Sequence, residues 1–205
     1  MEYKTLKASA SAEFVEQRSR FICNVMPVSS EQEAISFINK IKQQYWDAKH
    51  NVYAYILKVG NIKRYSDDGE PHSTAGLPVL DTMSKSGLFD CVAVVTRYFG
   101  GVLLGTGGLV RAYSTAAKMG VEAAGISIMK ECFNCSVVVR YTDYGKLEKI
   151  LNTQNVKIKS TDFNENVSVE FSVAVDEFDA FEKLITESFF GSVKVKKLSF
   201  VYDDF

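Results

Sequence analysis

The run Asp90–Thr96 (DCVAVVT) is apolar at every position from Cys91 to Val95. Alternation gives it no polar face, so as a strand it must be buried on both sides. The next residues narrow the fold further. Arg97-Tyr98-Phe99-Gly100-Gly101-Val102-Leu103-Leu104-Gly105-Thr106-Gly107-Gly108-Leu109-Val110-Arg111 is rich in glycine. From Gly105 to Ala124 the chain then continues in Gly and Ala, with Leu109, Tyr113, Ala116, Ala117 and Val121 among them. The spacing predicts a helix whose small residues let it lie close on a sheet or on another helix.

Upstream, Thr5–Phe14 and Ser19–Val28 are rich in small, β-branched and aromatic residues and read as strands, the second closed by Pro27. Ser30-Glu31-Gln32-Glu33 is a capping box, and Ala34, Phe37, Ile38, Ile41 and Tyr45 then recur at helical spacing to about Trp46. Asn51–Val59 returns to strand character and Gly76–Gly87 to a helix. The order is β-β-α-β-loop-α-β-α. Beyond it, Cys135–Tyr141, Val156–Asp162, Val167–Val175 and Ser192–Tyr202 read as strands, with helices at Tyr144–Asn152 and Phe178–Ser188. Asn164-Glu165-Asn166 supplies the turn chemistry of the central hairpin. This β-α-β-β-α-β order is the split βαβ, or ferredoxin-like, unit. The chain therefore reads as α+β with two domains, residues 1–132 and 133–205.

Charge bears on partners. The 205 residues carry 24 Lys and Arg against 25 Asp and Glu, which argues against a protein held to nucleic acid by bulk charge alone and leaves room for a local basic patch; DNA is not an expected partner. Residues 1–134 hold 15 basic and 13 acidic side chains, residues 135–205 hold 9 and 12. The first domain is the better binder of an anion. No stretch approaches the ~18 apolar residues of a membrane span, and the N-terminus lacks the apolar core of a signal peptide, so a cytoplasmic protein with no membrane partner is expected. Cys23, Cys91, Cys132 and Cys135 are too few and scattered for a disulfide scaffold. Cys132-Phe-Asn-Cys135 opens a strand rather than a helix, and the only histidines, His50 and His72, lie far from it. Reduced structural thiols are expected, with no metal and no cofactor.

Two loops could carry chemistry. Arg64-Tyr65-Ser66-Asp67-Asp68-Gly69-Glu70-Pro71-His72-Ser73-Thr74-Ala75-Gly76 places three carboxylates within four residues. They cannot all enter a core, so the loop is exposed or lines a cleft. It could bind a divalent metal or supply an acid–base pair; equally, its acids could cap the following helix while Gly69 and Pro71 set the turn. The absence of EF-hand spacing favours capping. The second loop is the glycine-rich one. Its backbone N–H groups, at a helix start flanked by Arg97 and Arg111, suit an anion. Tight strand–helix packing explains the same glycines. It is neither a Walker A loop, since no Gly-Lys-Ser/Thr comes after it, nor a dinucleotide fingerprint, since Val110 stands where a third glycine belongs. No serine has a nucleophile-elbow context. His50 could pair with Asp47 as a base or be a hydrogen-bonded structural residue.

Together these motifs resemble a known family. Asp47-Ala48-x-His50-Asn51, Arg64-x-Ser66-Asp67-Asp68-Gly69-Glu70-Pro71 with Thr74-Ala75-Gly76, and Val94-Val95-Thr96-Arg97-Tyr98-Phe99-Gly100-Gly101 with Leu104-Gly105-x-Gly107-Gly108-Leu109-Val110-Arg111-Ala112-Tyr113 closely resemble the IMPACT (YigZ-like, UPF0029) family over most of residues 15–125. The C-terminal split βαβ is similar to the small domain that bacterial members append. One departure is His72-Ser73, where members usually have Ser-Gly. The resemblance implies an N-terminal β-α fold like the second domain of a ribosomal protein and domain IV of elongation factor G. It likewise implies a C-terminal domain like that factor's domain V. It further implies a role in translational control, as in eukaryotic relatives that compete for an activator of the starvation-response kinase.

The function expected is a non-enzymatic regulator or accessory factor of translation that contacts RNA or the ribosome, with a regulatory protein as a further possible partner. Phosphate would be held by Arg64, Arg97, Gly100, Gly101, Gly105, Gly107, Gly108 and Arg111, supported by the acidic residues Asp67, Asp68 and Glu70. Further candidates are His50, His72, Thr74 and Tyr98. The alternatives are a small-molecule-kinase-like enzyme using the same two loops, with Asp67, Asp68 or Glu70 as metal ligand or base, and a protein-interaction module.

Overall fold

The computed structural model describes residues 2–204. Residues 3–127 form one compact unit, and residues 128–204 with Glu2 the other. In the first, the run expected to be buried on both faces is strand β6 of a sheet. The strands are β1 (Glu2–Leu6), β2 (Ala10–Glu16), β3 (Ser19–Pro27), β4 (His50–Leu57), β5 (Ile62–Ser66) and β6 (Cys91–Tyr98); the helices are α1 (Glu31–Gln44), α2 (Gly76–Lys85) and α3 (Gly105–Ala124). The sheet order is β2-β3-β6-β4-β5, with neighbours antiparallel, so β6 is central.

Alternation along β6 sorts its side chains into two cores. Val92 and Val94 pack with Ala34, Ile38 and Ile41 of α1, while Cys91, Ala93 and Val95 pack with Val79 and Met83 of α2 and Leu109, Ala116 and Ala117 of α3. Side chains two apart on a strand share a face, which is why one apolar run feeds both layers. The small residues of α3 allow the close approach expected of them: a Cβ on Gly120 would stand 2.6 Å from Cys23 Sγ on β3, so a glycine sets that helix-to-sheet distance. Half of the capping box forms: the Ser30 hydroxyl accepts the Glu33 N–H at 3.3 Å, while Glu33 Oε2 reaches one residue past the N-cap and accepts the Ser29 N–H at 2.7 Å.

The second unit contains nearly all of β7 (Ile126–Val139), then α4 (Tyr141–Thr153), β8 (Val156–Phe163), β9 (Val167–Ala174), α5 (Phe178–Ser188) and β10 (Lys196–Asp204). This is the split βαβ order. Its strands run antiparallel as β10-β7-β9-β8, and α4 and α5 cover one face through Leu147, Leu151, Phe178, Phe181 and Ile185.

Several boundaries differ from the sequence reading, among them the last strand, which begins at Lys196 rather than Ser192, and the border between the units, at 127/128 rather than 132/133. The first expected strand is two, β1 and β2, separated at residues 7–9. The loop from Arg64 begins inside a strand, because polar Ile62–Ser66 is the edge β5 and needs little burial. β7 starts nine residues before Cys135, so Cys132 and Cys135 lie mid-strand, three apart, and face opposite sides of the sheet. All four cysteines are free and buried. Burial pushes the Cys23 thiol up to about 12 and Cys135 to about 11. Among the described residues, no helix is long and apolar enough to cross a membrane.

Candidate functional site

Arg97 is the penultimate residue of β6, on the face that meets α2 and α3. It is not at the surface, where a phosphate contact was expected, but 6% exposed. A guanidinium taken out of water needs a counter-charge, and Glu70 supplies it, Arg97 Nη1 donating to Glu70 Oε1 at 2.7 Å. The Tyr113 hydroxyl of α3 donates to the same oxygen at 2.8 Å; burial and then the neighbouring carboxylate hold that phenol well above its ordinary range. Arg97 Nη2 reaches Ser19 Oγ at 3.5 Å, and Nε has no acceptor among the described residues.

His50 opens β4 directly opposite Arg97. Its Nδ1 lies 2.8 Å from the Asp68 carbonyl oxygen; a carbonyl only accepts, so the proton sits on Nδ1. Nε2 then faces Glu70 Oε1 at 4.0 Å. The acidic loop is thus tied down residue by residue. Asp67 Oδ1 accepts the N–H groups of Ala75 and Gly76 at 3.1 and 2.8 Å, and Oδ2 that of Ser73 at 2.8 Å. It caps α2 across the loop, the role that the missing EF-hand spacing favoured. Asp68 Oδ2 accepts the Asn51 N–H and Oδ1 the Lys42 ammonium, both at 2.7 Å. Thr74 Oγ1 donates to the Pro71 carbonyl at 2.7 Å, and exposed His72 pairs through Nδ1 with Ser73 Oγ at 2.8 Å. The three carboxylates do not converge. Among the described residues no three His, Cys, Asp or Glu are grouped to hold a metal ion.

The glycine-rich segment divides in two. Gly100 is a packing glycine: a Cβ there would stand 2.0 Å from Arg18 C and O, and its N–H donates to Ser19 Oγ at 3.2 Å. It rests on the β2–β3 turn, where Gln17 and Arg18 have φ of 45° and 66°. Gly101, Gly105 and Gly107 instead meet nothing within 4 Å of an added Cβ, save Arg111 Nη1 at 4.0 Å from Gly107. The 20-residue α3 starts here with Leu104 at its N-cap, no side-chain cap and no acid in its first turn. The first N–H groups of such a helix have no intrahelical partner and carry the positive end of its dipole. Arg111, exposed and without a side-chain partner among the described residues, reaches back over Gly107. Beside it, Phe14, Glu16, Gln17, Leu104, Gly108, Arg111, Ala112 and Thr115 line a cavity of about 310 Å³.

The expected residues therefore fall into three groups. Gly101, Gly105 and Gly107, with Arg111 over Gly107, leave one open stretch around the start of α3, while Gly108 packs on Leu104, 2.9 Å from an added Cβ. Arg97, His50, Glu70 and, through Asp68, the acidic loop form a buried network behind it. Arg64 belongs to neither: it lies on β5, the far edge of the sheet, opposite Tyr55 on the α1 side, and donates to the Lys63 carbonyl at 3.1 Å. Tyr98 also points to the α1 side, where its hydroxyl donates to Asp47 Oδ1 at 2.7 Å. Ser19, Arg18 and Tyr113 were missed. Only pairing places the first two under Gly100; Tyr113 was legible as a helix-face residue but not as a partner of Glu70.

Comparison with known proteins agrees with the motifs. The family described as Impact N-terminal domain matches residues 17–121, and a domain of unknown function, DUF1949, matches residues 137–192. "IMPACT family member YvyE" of Bacillus subtilis (strain 168) is 41% identical over 201 residues, covering 98% of this chain and 93% of that protein. The chain belongs to the IMPACT family. The IMPACT match to "Protein IMPACT homolog" of Dictyostelium discoideum, 37% identical over 95 residues, takes in 44% of this chain and 27% of that one. A solved structure titled "Crystal structure of an hypothetical protein" superposes with a TM-score of 0.62 at 25% identity over 97% of this chain and 98% of its own, so both units have a counterpart in that structure.

Proposed function

We propose that this IMPACT family member is a non-enzymatic, cytoplasmic, translation-associated factor that holds RNA or the ribosome by its phosphates. The open first turn of α3, with Arg111 unpaired above Gly107, carries the reading. Phosphate oxygens accept from the free N–H groups at the positive end of the dipole while the guanidinium neutralises charge. Arg18, exposed at the β2–β3 turn on which Gly100 rests, adds a second cation. Arg97 does not touch the ligand; with Glu70 and Ser19 it fixes the strand end and the turn that present the loop.

Sedimentation with purified ribosomes and subunits across a salt series tests this. Binding weakens steeply with salt, and Arg111→Ala both lowers affinity and reduces the slope of log affinity against log salt by about 1. Arg64→Ala, on the other edge, leaves both unchanged. Affinity that is absent at low salt, or independent of salt, overturns the reading.

A further inference from the structure

Phe99 is 51% exposed at the start of the glycine-rich loop, yet it is backed by a column of buried and partly buried groups. Phe14 and Phe21 stack with centroids 5.4 Å apart and planes 18° from parallel. The Arg97 guanidinium carbon lies 5.5 Å from the Phe21 centroid and 5.5 Å from that of Phe99. Phe21 is fully buried and Arg97 nearly so. The guanidinium therefore lies over one face of Phe99, and the residue as a whole stays half-exposed.

The backbone beside this ring is also held in place. Its neighbour Gly100 is locked against the Arg18 backbone and hydrogen-bonded to Ser19, and a cation within about 6 Å of an aromatic face attracts it. A rigid, open aromatic face loses little entropy when a flat group settles on it. Val102 and Leu103, further along the loop, are exposed as well, Leu103 by 85%. Gly105 lies six positions beyond Phe99, a reach of at most about 22 Å, within the footprint of a few nucleotides that single-strand binders cover. The surface thus sets an apolar stacking face beside free N–H groups and the cations Arg18 and Arg111. That juxtaposition is complementary to an unpaired nucleotide run, which offers bases and phosphates in alternation; a duplex keeps its bases inside the stack and offers only phosphates and groove edges.

Resting on the phosphate-binding reading above, we infer that the RNA taken at this surface is single-stranded, with one unpaired base stacked on the free face of Phe99. The test is fluorescence anisotropy of the full chain with a labelled mixed-sequence single strand and with the same strand annealed to its complement. The single strand binds more tightly than the duplex. Phe99→Leu weakens single-strand binding about 5- to 150-fold, the range of losing one base–aromatic stack, while leaving the salt slope and duplex binding as they were. Phe99→Trp retains tight binding, and the thermal midpoints of both variants match the parent. Equal affinity for the two RNAs, or a Phe99→Leu protein that binds the single strand undiminished, overturns the inference; the phosphate reading then stands if Arg111→Ala still lowers the salt slope. Absence of binding to either RNA at low salt overturns both.

Discussion

Glu70→Ala is the perturbation that most directly probes the buried network. Its carboxylate is 4% exposed and Arg97 7%, and one oxygen accepts from both the Arg97 guanidinium and the Tyr113 hydroxyl. Removing it leaves a guanidinium without counter-charge and a phenol without acceptor in the same dry space. Breaking a buried pair in this way costs about 3–5 kcal/mol, a large part of a domain's typical 5–15 kcal/mol. Glu70→Gln keeps an oxygen in place and loses only charge, for about 1–3 kcal/mol. The paired replacement Glu70→Leu with Arg97→Met removes both charges together and returns stability most of the way to the parent, since burying a pair yields little net gain over apolar packing. Urea denaturation followed by circular dichroism reads these differences, with midpoints falling by about 1–3 M for Glu70→Ala. Hydrogen exchange of the β6 amides assigns the loss to the N-terminal unit. A Glu70→Ala midpoint within about 0.5 M of the parent, or a double variant weaker than either single one, refutes the reasoning.

Other expected outcomes divide the two units. Gly100→Ala drives a Cβ to 2.0 Å from the Arg18 backbone and lowers stability by about 1–3 kcal/mol or more; Gly107→Ala meets only a side-chain tip at 4.0 Å and stays within about 1 kcal/mol of the parent, both read by thermal melts. In the second unit, burial would raise the Asp203 carboxyl, but hydrogen bonds from Lys157, Ser172 and Lys159 together outweigh it and hold it below the ordinary range. A carboxyl depressed in the folded state contributes stability above its unfolded value, ~3.9, and loses it as pH falls through the folded one. Asp203→Asn therefore lowers stability at neutral pH and flattens the fall between pH ~4 and lower values, measured by denaturation at a series of pH values; an unchanged acid limb counts against the network.

How far the sequence could be read depends on which residues speak locally. Cys91–Val95 announced a central strand because every position is apolar and had to be buried, and Ser30 with Glu33 announced a helix start because the cap they form spans four residues. β5 was missed because an edge strand of polar residues pairs on one side only, a property of its neighbour β4 and not of its own sequence. The site was legible in part for the same reason. Glycines before a helix of small residues indicated an open helix start, and Gly105–Gly108 with Arg111 form one. Whether Arg97 faced water or core depended on strand parity at the end of β6 and on an acid 27 residues away. Nothing near Arg97 encodes that.

The two arginines flanking the glycines thus have opposite roles, and the division has a physical logic. An exposed arginine without a partner loses little solvation before its ligand arrives and is free to neutralise a phosphate. A buried arginine–glutamate pair adds little net stability over apolar packing, so its presence behind Phe99 calls for another reason. The reason offered by the geometry is placement: the guanidinium fills the space between two rings, with Glu70 and Ser19 holding it from the side, and so determines where the outer ring lies. Stability and recognition then separate in one variant. The Glu70→Leu/Arg97→Met protein, folded close to parental stability, lacks the planar cation beneath Phe99 and has a flexible thioether instead. It keeps the salt slope set by Arg111 and loses preference for a single strand over a duplex. If the double variant discriminated between the two RNAs as well as the parent, the buried pair would have no part in aiming the ring.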